Sequence, residues 1–209
     1  MKKNAILLAL TVTVSFSQYA CKNAADNKAE MITPLETTAS NEKAIPETTL
    51  TVDEAKEKTI ANLQEAFNGE SNATARYAAF SKKANEEGYK EIALLFKAAS
   101  LAEKVHASNH KAVLEEMGVA VKQAVIDVKV LSTQENLEAA IKGESDEATI
   151  MYPNLLKEAK VADNQMALIS LNYAFKTEKK HQAFYEVALA ALNSNKVNTL
   201  ATTYFVCPT

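Results

Sequence analysis

Tryptophan is absent from this chain of 209 residues, and glycine and proline are scarce at four each. So few breakers leave little for the tight turns of a sheet protein. The abundance of Ala, Leu, Glu and Lys favours long helices instead. Cysteine is nearly absent too: Cys21 and Cys207 lie near opposite ends, which argues against a disulfide framework, and no Cys-x-x-Cys is present. Excess positive charge is also missing. The formal net charge is −3, so neither nucleic acid nor an anionic membrane surface is expected as a partner. The apolar run at residues 5–16 is too short to span a membrane.

That run follows Lys2 and Lys3 and has the length of a signal peptide. Two exits are open. Ser15-Phe16-Ser17 allows cleavage after Ser17. Ala20-Cys21 resembles the end of a bacterial lipoprotein signal, with Cys21 lipidated, although Gln18 and Tyr19 depart from the usual residues there. Either exit implies an extracytoplasmic bacterial protein, in the periplasm or tied to a membrane only through a lipid anchor. Residues 1–21 are therefore set apart as signal, 22–50 as a disordered tether, 51–195 as the folded domain and 196–209 as a tail.

Helical periodicity begins near Val52, with Ile60, Leu63, Ala66, Phe67, Ala73, Tyr77 and Phe80 on one stripe and Thr51 or Asp53 as cap. Gly88 stops it. A second helix starts near Tyr89 and ends at Met117-Gly118. Residues 119–131 are mostly β-branched and read as an extended crossover with at most a helical turn. Ser132-Thr133-Gln134-Glu135 fits a capping box. A third helix follows to about Lys160, with Pro153 expected to kink it. Asp163 is the expected cap of a fourth, which runs to about Asn193 through Met166, Ile169, Leu171, Tyr173, Phe175, Phe184, Val187 and Leu192. Met117, Met151 and Met166 read as core filling. The fold expected is all-α: a ferritin-like four-helix bundle of two helical hairpins with a long middle crossover.

Two Glu-x-x-His motifs stand out, Glu103 with His106 and Glu178 with His181. On a helix, residues three apart share a face, so each motif aims a carboxylate and an imidazole the same way. Joined by one Glu from each of two other helices, they form the ligand set of a di-iron or di-manganese site in a four-helix bundle. An internal repeat supplies those partners. Gly69-Glu70-Ser71 recurs as Gly143-Glu144-Ser145 at an offset of 74, whereas Tyr77, Glu103 and His106 recur as Tyr152, Glu178 and His181 at 75. The extra residue falls between Ser145 and Tyr152. One residue inserted into a helix is commonly absorbed as a π-bulge, and Glu147 lies inside that window. The candidate metal ligands are therefore Glu70, Glu103, His106, Glu144, Glu147, Glu178 and His181. Five buried carboxylates are costly as plain core and sensible as a cage for two cations. Tyr77 and Tyr152 lie two turns beyond Glu70 and Glu144, where they can hydrogen-bond to ligand carboxylates. His110 reads as a surface or satisfied residue, not a ligand. Gly69 and Gly143, each just before a candidate ligand, imply close packing or room for a small oxidant.

At these residues the sequence closely resembles the rubrerythrin family over about residues 55–193. Phe67-Asn68-Gly69-Glu70-Ser71, Arg76-Tyr77, Glu86-Glu87-Gly88-Tyr89, Gly143-Glu144, Met151-Tyr152-Pro153 and both Glu-x-x-His motifs carry the likeness. The resemblance implies two iron ions, or a mixed metal pair in the same donor set. It implies reduction of hydrogen peroxide to water, with Glu147 exchanging with His106 at one iron and with Tyr77 and Tyr152 supporting the site. It also implies a homodimer. The alternative is an iron-binding ferroxidase without efficient peroxide turnover. Tyr204-Phe205-Val206-Cys207-Pro208-Thr209 resembles the opening of the family's rubredoxin domain, but one cysteine does not supply the four thiolates of its iron. The built-in relay is therefore expected to be missing, either truly or by truncation of the sequence, Cys207 to be a leftover thiol, and electrons to come from a separate donor protein.

Overall fold

The computed structural model describes residues 50–207. The signal and lipidation readings at residues 1–21, and all but the last residue of the tether, lie outside them. Among the described residues five α-helices follow one another: α1 (Val52–Glu86), α2 (Lys90–Glu116), α3 (Thr133–Asp146), α4 (Tyr152–Val161) and α5 (Gln165–Asn193). Between α3 and α4 the chain does not leave the helix. It passes through one π turn, Glu147–Met151, so α3 and α4 form a single bundle member. The bundle is ferritin-like, with α1 packed chiefly on α2, and α3 and α4 packed on α5. Residues 119–131 form the extended crossover between these hairpins, with no helical turn in it. Among the described residues no helix is long and apolar enough to cross a membrane.

Local chemistry explains where the helices begin and end. Thr51 and Ser132 each cap a helix in a reciprocal box, with Glu54 and Glu135 reaching back to the cap backbone. Gly88 and Gly118 take φ values of +89° and +72° just past α1 and α2, where a side chain is strained and glycine is not. The cap of α5 is Asn164, whose Oδ1 accepts from the Ala167 N–H at 3.0 Å. Asp163 sits one residue too early, in a left-handed turn at φ +52°, and so the expected cap is displaced by one. Pro153 lies in the first turn of α4, where its missing N–H costs least. The crossover is stitched to α1 by side chains: Gln64 exchanges two hydrogen bonds with the Lys122 backbone, and Asn68 accepts from the Val125 N–H at 2.7 Å.

The core divides into two apolar clusters. One contains Tyr77, Phe80, Phe96, Leu137 and Tyr185; the other contains Leu63, Leu114, Tyr152, Leu155 and Leu171. On each bundle member a buried glutamate falls between residues of the two clusters: Glu70, Glu103, Glu144 and Glu178. A polar layer thus crosses the bundle at mid-height. Helix α5 turns out differently from its apolar pattern. Met166, Ile169, Tyr173, Phe184 and Val187 are exposed, Ile169 at 57%, and Met166 is not core filling. The inward face instead carries Ala167, Ser170, Leu171, Ala174, Glu178, His181, Tyr185 and Ala188. Small residues on that face let α5 approach its neighbours closely enough for short carboxylates to meet at the centre.

The Ser132 box closes the crossover onto α3. Ser132→Ala is expected to lower stability by about 1 kcal/mol, read as a lower urea midpoint with an unchanged denaturant slope.

Candidate metal centre

The polar layer brings six side chains together in two overlapping quartets. Glu70, Glu103, His106 and Glu178 offer ligand atoms all within 4.8 Å of one another, as do Glu103, Glu144, Glu178 and His181. The arrangement is nearly twofold. Glu103 presents Oε2 to His106 Nδ1 at 2.8 Å and Oε1 to His181 Nδ1 at 2.8 Å. Glu178 does likewise, at 3.4 Å to each imidazole. Glu70 lies on the His106 side at 3.8 Å and Glu144 on the His181 side at 3.7 Å. Two carboxylates therefore span both quartets, and each quartet adds one carboxylate and one imidazole of its own.

All six are buried. Both oxygens of Glu103 and of Glu178, one oxygen each of Glu70 and Glu144, and the Nδ1 atoms of His106 and His181 have no hydrogen-bond partner. They are close to one another but not aligned for hydrogen bonding. Orphaned lone pairs at this density are costly without a shared partner. The donor set is carboxylate oxygen and imidazole nitrogen, which suits first-row transition metals. The residues present fit a pair of metal ions.

The charge state points the same way. Burial pushes the Glu70 carboxyl well up, and Glu103 and Glu147 push it further. Burial, Glu103 and Glu70 do the same to Glu178. Burial also raises Glu103, but the flanking His181 and His106 outweigh it and hold this carboxyl at about 2. His181 would be lowered by burial, yet Glu103 and its other carboxylate neighbours raise it well above the ordinary value.

The tyrosines reach across the bundle. Tyr77 Oη donates to Glu144 Oε1 at 2.5 Å, and Tyr152 Oη donates to Glu70 Oε1. Spacing along the chain puts each tyrosine beside the glutamate of its own helix; each instead holds the glutamate of the opposite hairpin. Helix α1 is thereby tied twice to the member formed by α3 and α4, through two hydroxyls. His110, four residues past His106, is fully buried rather than at the surface. Its Nδ1 lies 2.8 Å from Ser170 Oγ and its Nε2 lies 3.2 Å from Tyr152 Oη. Burial, then His106, pulls its pKa down to about 3.

Glu147 is the candidate that the quartets do not include. It opens the π turn, is partly buried, and its carboxyl is pushed up to about 8 by burial, then by Glu144 and Glu103. Arg76 stands near it and near Glu144, with its guanidinium 5.2 Å over the Tyr77 ring. Close packing does not explain the two glycines. A Cβ on Gly69 would meet nothing within 4 Å, and one on Gly143 would meet only the Arg76 guanidinium at 3.8 Å. The sequence pattern does not mark Arg76, Ser170 or the inward turn of His110 as parts of the site. The one sequence signal for His110 is its place four residues, about one helical turn, from His106.

Comparison with known proteins gives a consistent picture. A family model for rubrerythrin matches residues 61–189. Rubrerythrin-2 of Clostridium acetobutylicum is 34% identical over 148 residues, covering 70% of this chain and 79% of that protein. Nigerythrin of Nitratidesulfovibrio vulgaris is 36% identical over 136 residues, covering 65% and 66%. The all-ferrous structure of nigerythrin superposes with a TM-score of 0.61 at 33% identity, covering 65% of this chain and 68% of that one. A Rhodobacter capsulatus bacterioferritin superposes with a TM-score of 0.63 at 17% identity, covering 72% and 98%, and shares the fold alone.

The raised carboxyls give a pH signature. Glu70, Glu147 and Glu178 keep protons in the folded protein at pH values where unfolded glutamates have released them. Each therefore costs stability as pH rises from 4.5 toward its folded value, about 8 for Glu147. His181, also raised, loses its contribution in the same direction. Glu103 acts oppositely, but its contribution is complete once pH exceeds 4.5. His110, held neutral by burial, also acts oppositely, and its contribution is complete once pH exceeds 6.5. The urea midpoint of metal-free protein is expected to fall between about pH 6.5 and pH 8. Excess Fe(II), added anaerobically, is expected to abolish the fall. A metal-free midpoint that stays level or rises would contradict this electrostatic reading.

Proposed function

The chain belongs to the rubrerythrin family, and on that footing we propose that it reduces hydrogen peroxide to water at a pair of iron ions, drawing electrons from a separate donor protein. Proteins of this family carry a non-haem di-iron centre, and the buried groups of this chain are able to hold a metal pair. Glu70, Glu103, Glu178 and His106 would hold one ion, and Glu103, Glu144, Glu178 and His181 the other. The chemistry such a pair supplies is a two-electron reduction in which peroxide, two protons and two Fe(II) give two waters and two Fe(III).

The protein's part is to orient and to handle protons. Glu103 and Glu178 fix the spacing of the two positions because each offers an oxygen to both. Tyr77 and Tyr152 hold the terminal carboxylates by donated hydrogen bonds, so those carboxylates need not reorganise when charge changes. Glu147 is the observation that favours peroxide chemistry over plain iron binding. It sits at the mouth of a π turn, beside the quartets and outside them, with a carboxyl that keeps its proton near neutral pH. With iron bound, Glu147 would be the residue to trade places with His106 as a ligand, giving up its proton to do so. Arg76 balances its charge when ionised. The open space beside Gly69 suits a small oxidant.

The same proposal takes the protein to be exported, through a cleaved leader or a lipid on Cys21. Palmitate labelling that disappears in Cys21→Ala supports the lipid; labelling of neither form leaves the cleaved leader.

Anaerobic stopped-flow mixing tests the reaction. Di-ferrous protein is expected to be oxidised faster by peroxide than by oxygen. Oxidation by peroxide no faster than by oxygen would remove the peroxidase reading. Glu147→Ala is expected to bind two Fe(II) per chain yet to turn over peroxide roughly tenfold more slowly or worse. Unchanged turnover in that variant would count against the role given to Glu147.

A further inference from the structure

The internal repeat breaks one layer outside the candidate ligands. Tyr152 on Glu70 and Tyr77 on Glu144 are repeat mates. Behind Tyr152 stands His110, whose mate at the offset of 75 is Tyr185, packed on Tyr77 with ring centroids 5.5 Å apart. Behind His110 stands Ser170, whose mate is Leu95. One half therefore has an unbroken polar chain, Ser170 to His110 to Tyr152 to Glu70. The other ends at Tyr185, whose hydroxyl is buried without a hydrogen-bond partner.

The polar chain runs in one direction only. The Tyr152 hydroxyl gives its single proton to Glu70, so its oxygen accepts from His110 Nε2 at 3.2 Å. With the proton on Nε2, Nδ1 accepts, and it takes the Ser170 hydroxyl proton at 2.8 Å. A hydroxyl that accepts while it donates is the stronger donor. Glu70 Oε1 is thereby occupied, and Glu70 Oε2 stays buried without a partner.

We propose that His110, oriented by Ser170, is a positioning residue. Its Nε2–H fixes the Tyr152 hydroxyl on Glu70 Oε1, the oxygen 3.8 Å from His106 Nδ1, and so holds this carboxylate in place for one of the two metal positions, which is organised in advance in a way its twin is not. The inference rests on the metal pair and not on the peroxide reading, and binding measurements made without peroxide keep the two apart.

Anaerobic calorimetric titration of metal-free protein with Fe(II) tests it in wild type, His110→Phe and His110→Gln. Phe fills the space but donates nothing, whereas the Gln amide still donates. The expected result is two binding steps, one of them weakened about tenfold in the Phe variant and largely recovered in the Gln variant, with the other step unchanged. Two unaffected steps, two equally weakened steps, or no recovery in the Gln variant would overturn the proposal. Should the Phe variant fail to fold, nitrogen NMR of histidine-labelled wild-type protein decides. Neutral His110 with its proton on Nε2 supports the chain as drawn; a proton on Nδ1 reverses it and overturns the proposal.

Discussion

Four glutamates cannot all stay ionised at the dry centre of a helical bundle unless something positive sits among them. Each uncompensated charge taken out of water costs several kcal/mol even after relaxation. Glu70, Glu103, Glu144 and Glu178 are buried together, with two imidazoles and two tyrosine hydroxyls as their nearest polar company. Protons answer part of this demand in the metal-free protein, which is why Glu70 and Glu178 are pushed up while Glu103, between the imidazoles, is held low. Two divalent cations answer it fully. The rest of the structure is arranged around that layer: apolar clusters seal it above and below, alanines on α5 let the helices close in, and two tyrosines cross the bundle to hold the outer carboxylates.

Near-symmetry makes the site, and departures from symmetry give it a direction. Two helical hairpins of similar sequence present matching carboxylates and imidazoles, so two metal positions follow from one design used twice. Two breaks then distinguish them. The extra residue in the second half becomes the π turn, which carries Glu147 beside the quartets without adding it to them. The exchange of Tyr185 for His110, and of Leu95 for Ser170, gives one outer carboxylate a polar backing and the other an aromatic one. A pair of ions in this setting does not experience two equivalent environments, which suits chemistry that changes their charge.

Much of the site is legible in the order of residues alone. The Glu-x-x-His motifs, the paired Gly-Glu-Ser and the Ser132 capping box depend on spacing along one helix, and local spacing is what a sequence records. The step from 74 to 75 in the repeat locates the π turn, because an inserted residue inside a helix has few ways to be absorbed. Features that depend on two elements meeting are not legible in this way. The tyrosines bind the opposite hairpin because helix crossing, not spacing, decides which carboxylate lies within reach. The large apolar side chains of α5 face outward because the inward face is reserved for small residues and ligands. Asn164 displaces Asp163 as a cap because the turn before α5 takes one residue into a left-handed conformation. The space at Gly69 is set by neighbours that its own helix does not specify.

The central claim is that Glu103 and Glu178 are shared between two metal ions while each ion keeps one imidazole of its own. A crystal structure of protein loaded anaerobically with Fe(II), phased on the anomalous scattering of iron, tests it directly. The account predicts two iron peaks roughly 3.5–4 Å apart, one on His106 and one on His181, with both carboxylates contacting both peaks. A single peak, or two peaks with no carboxylate in common, would contradict it.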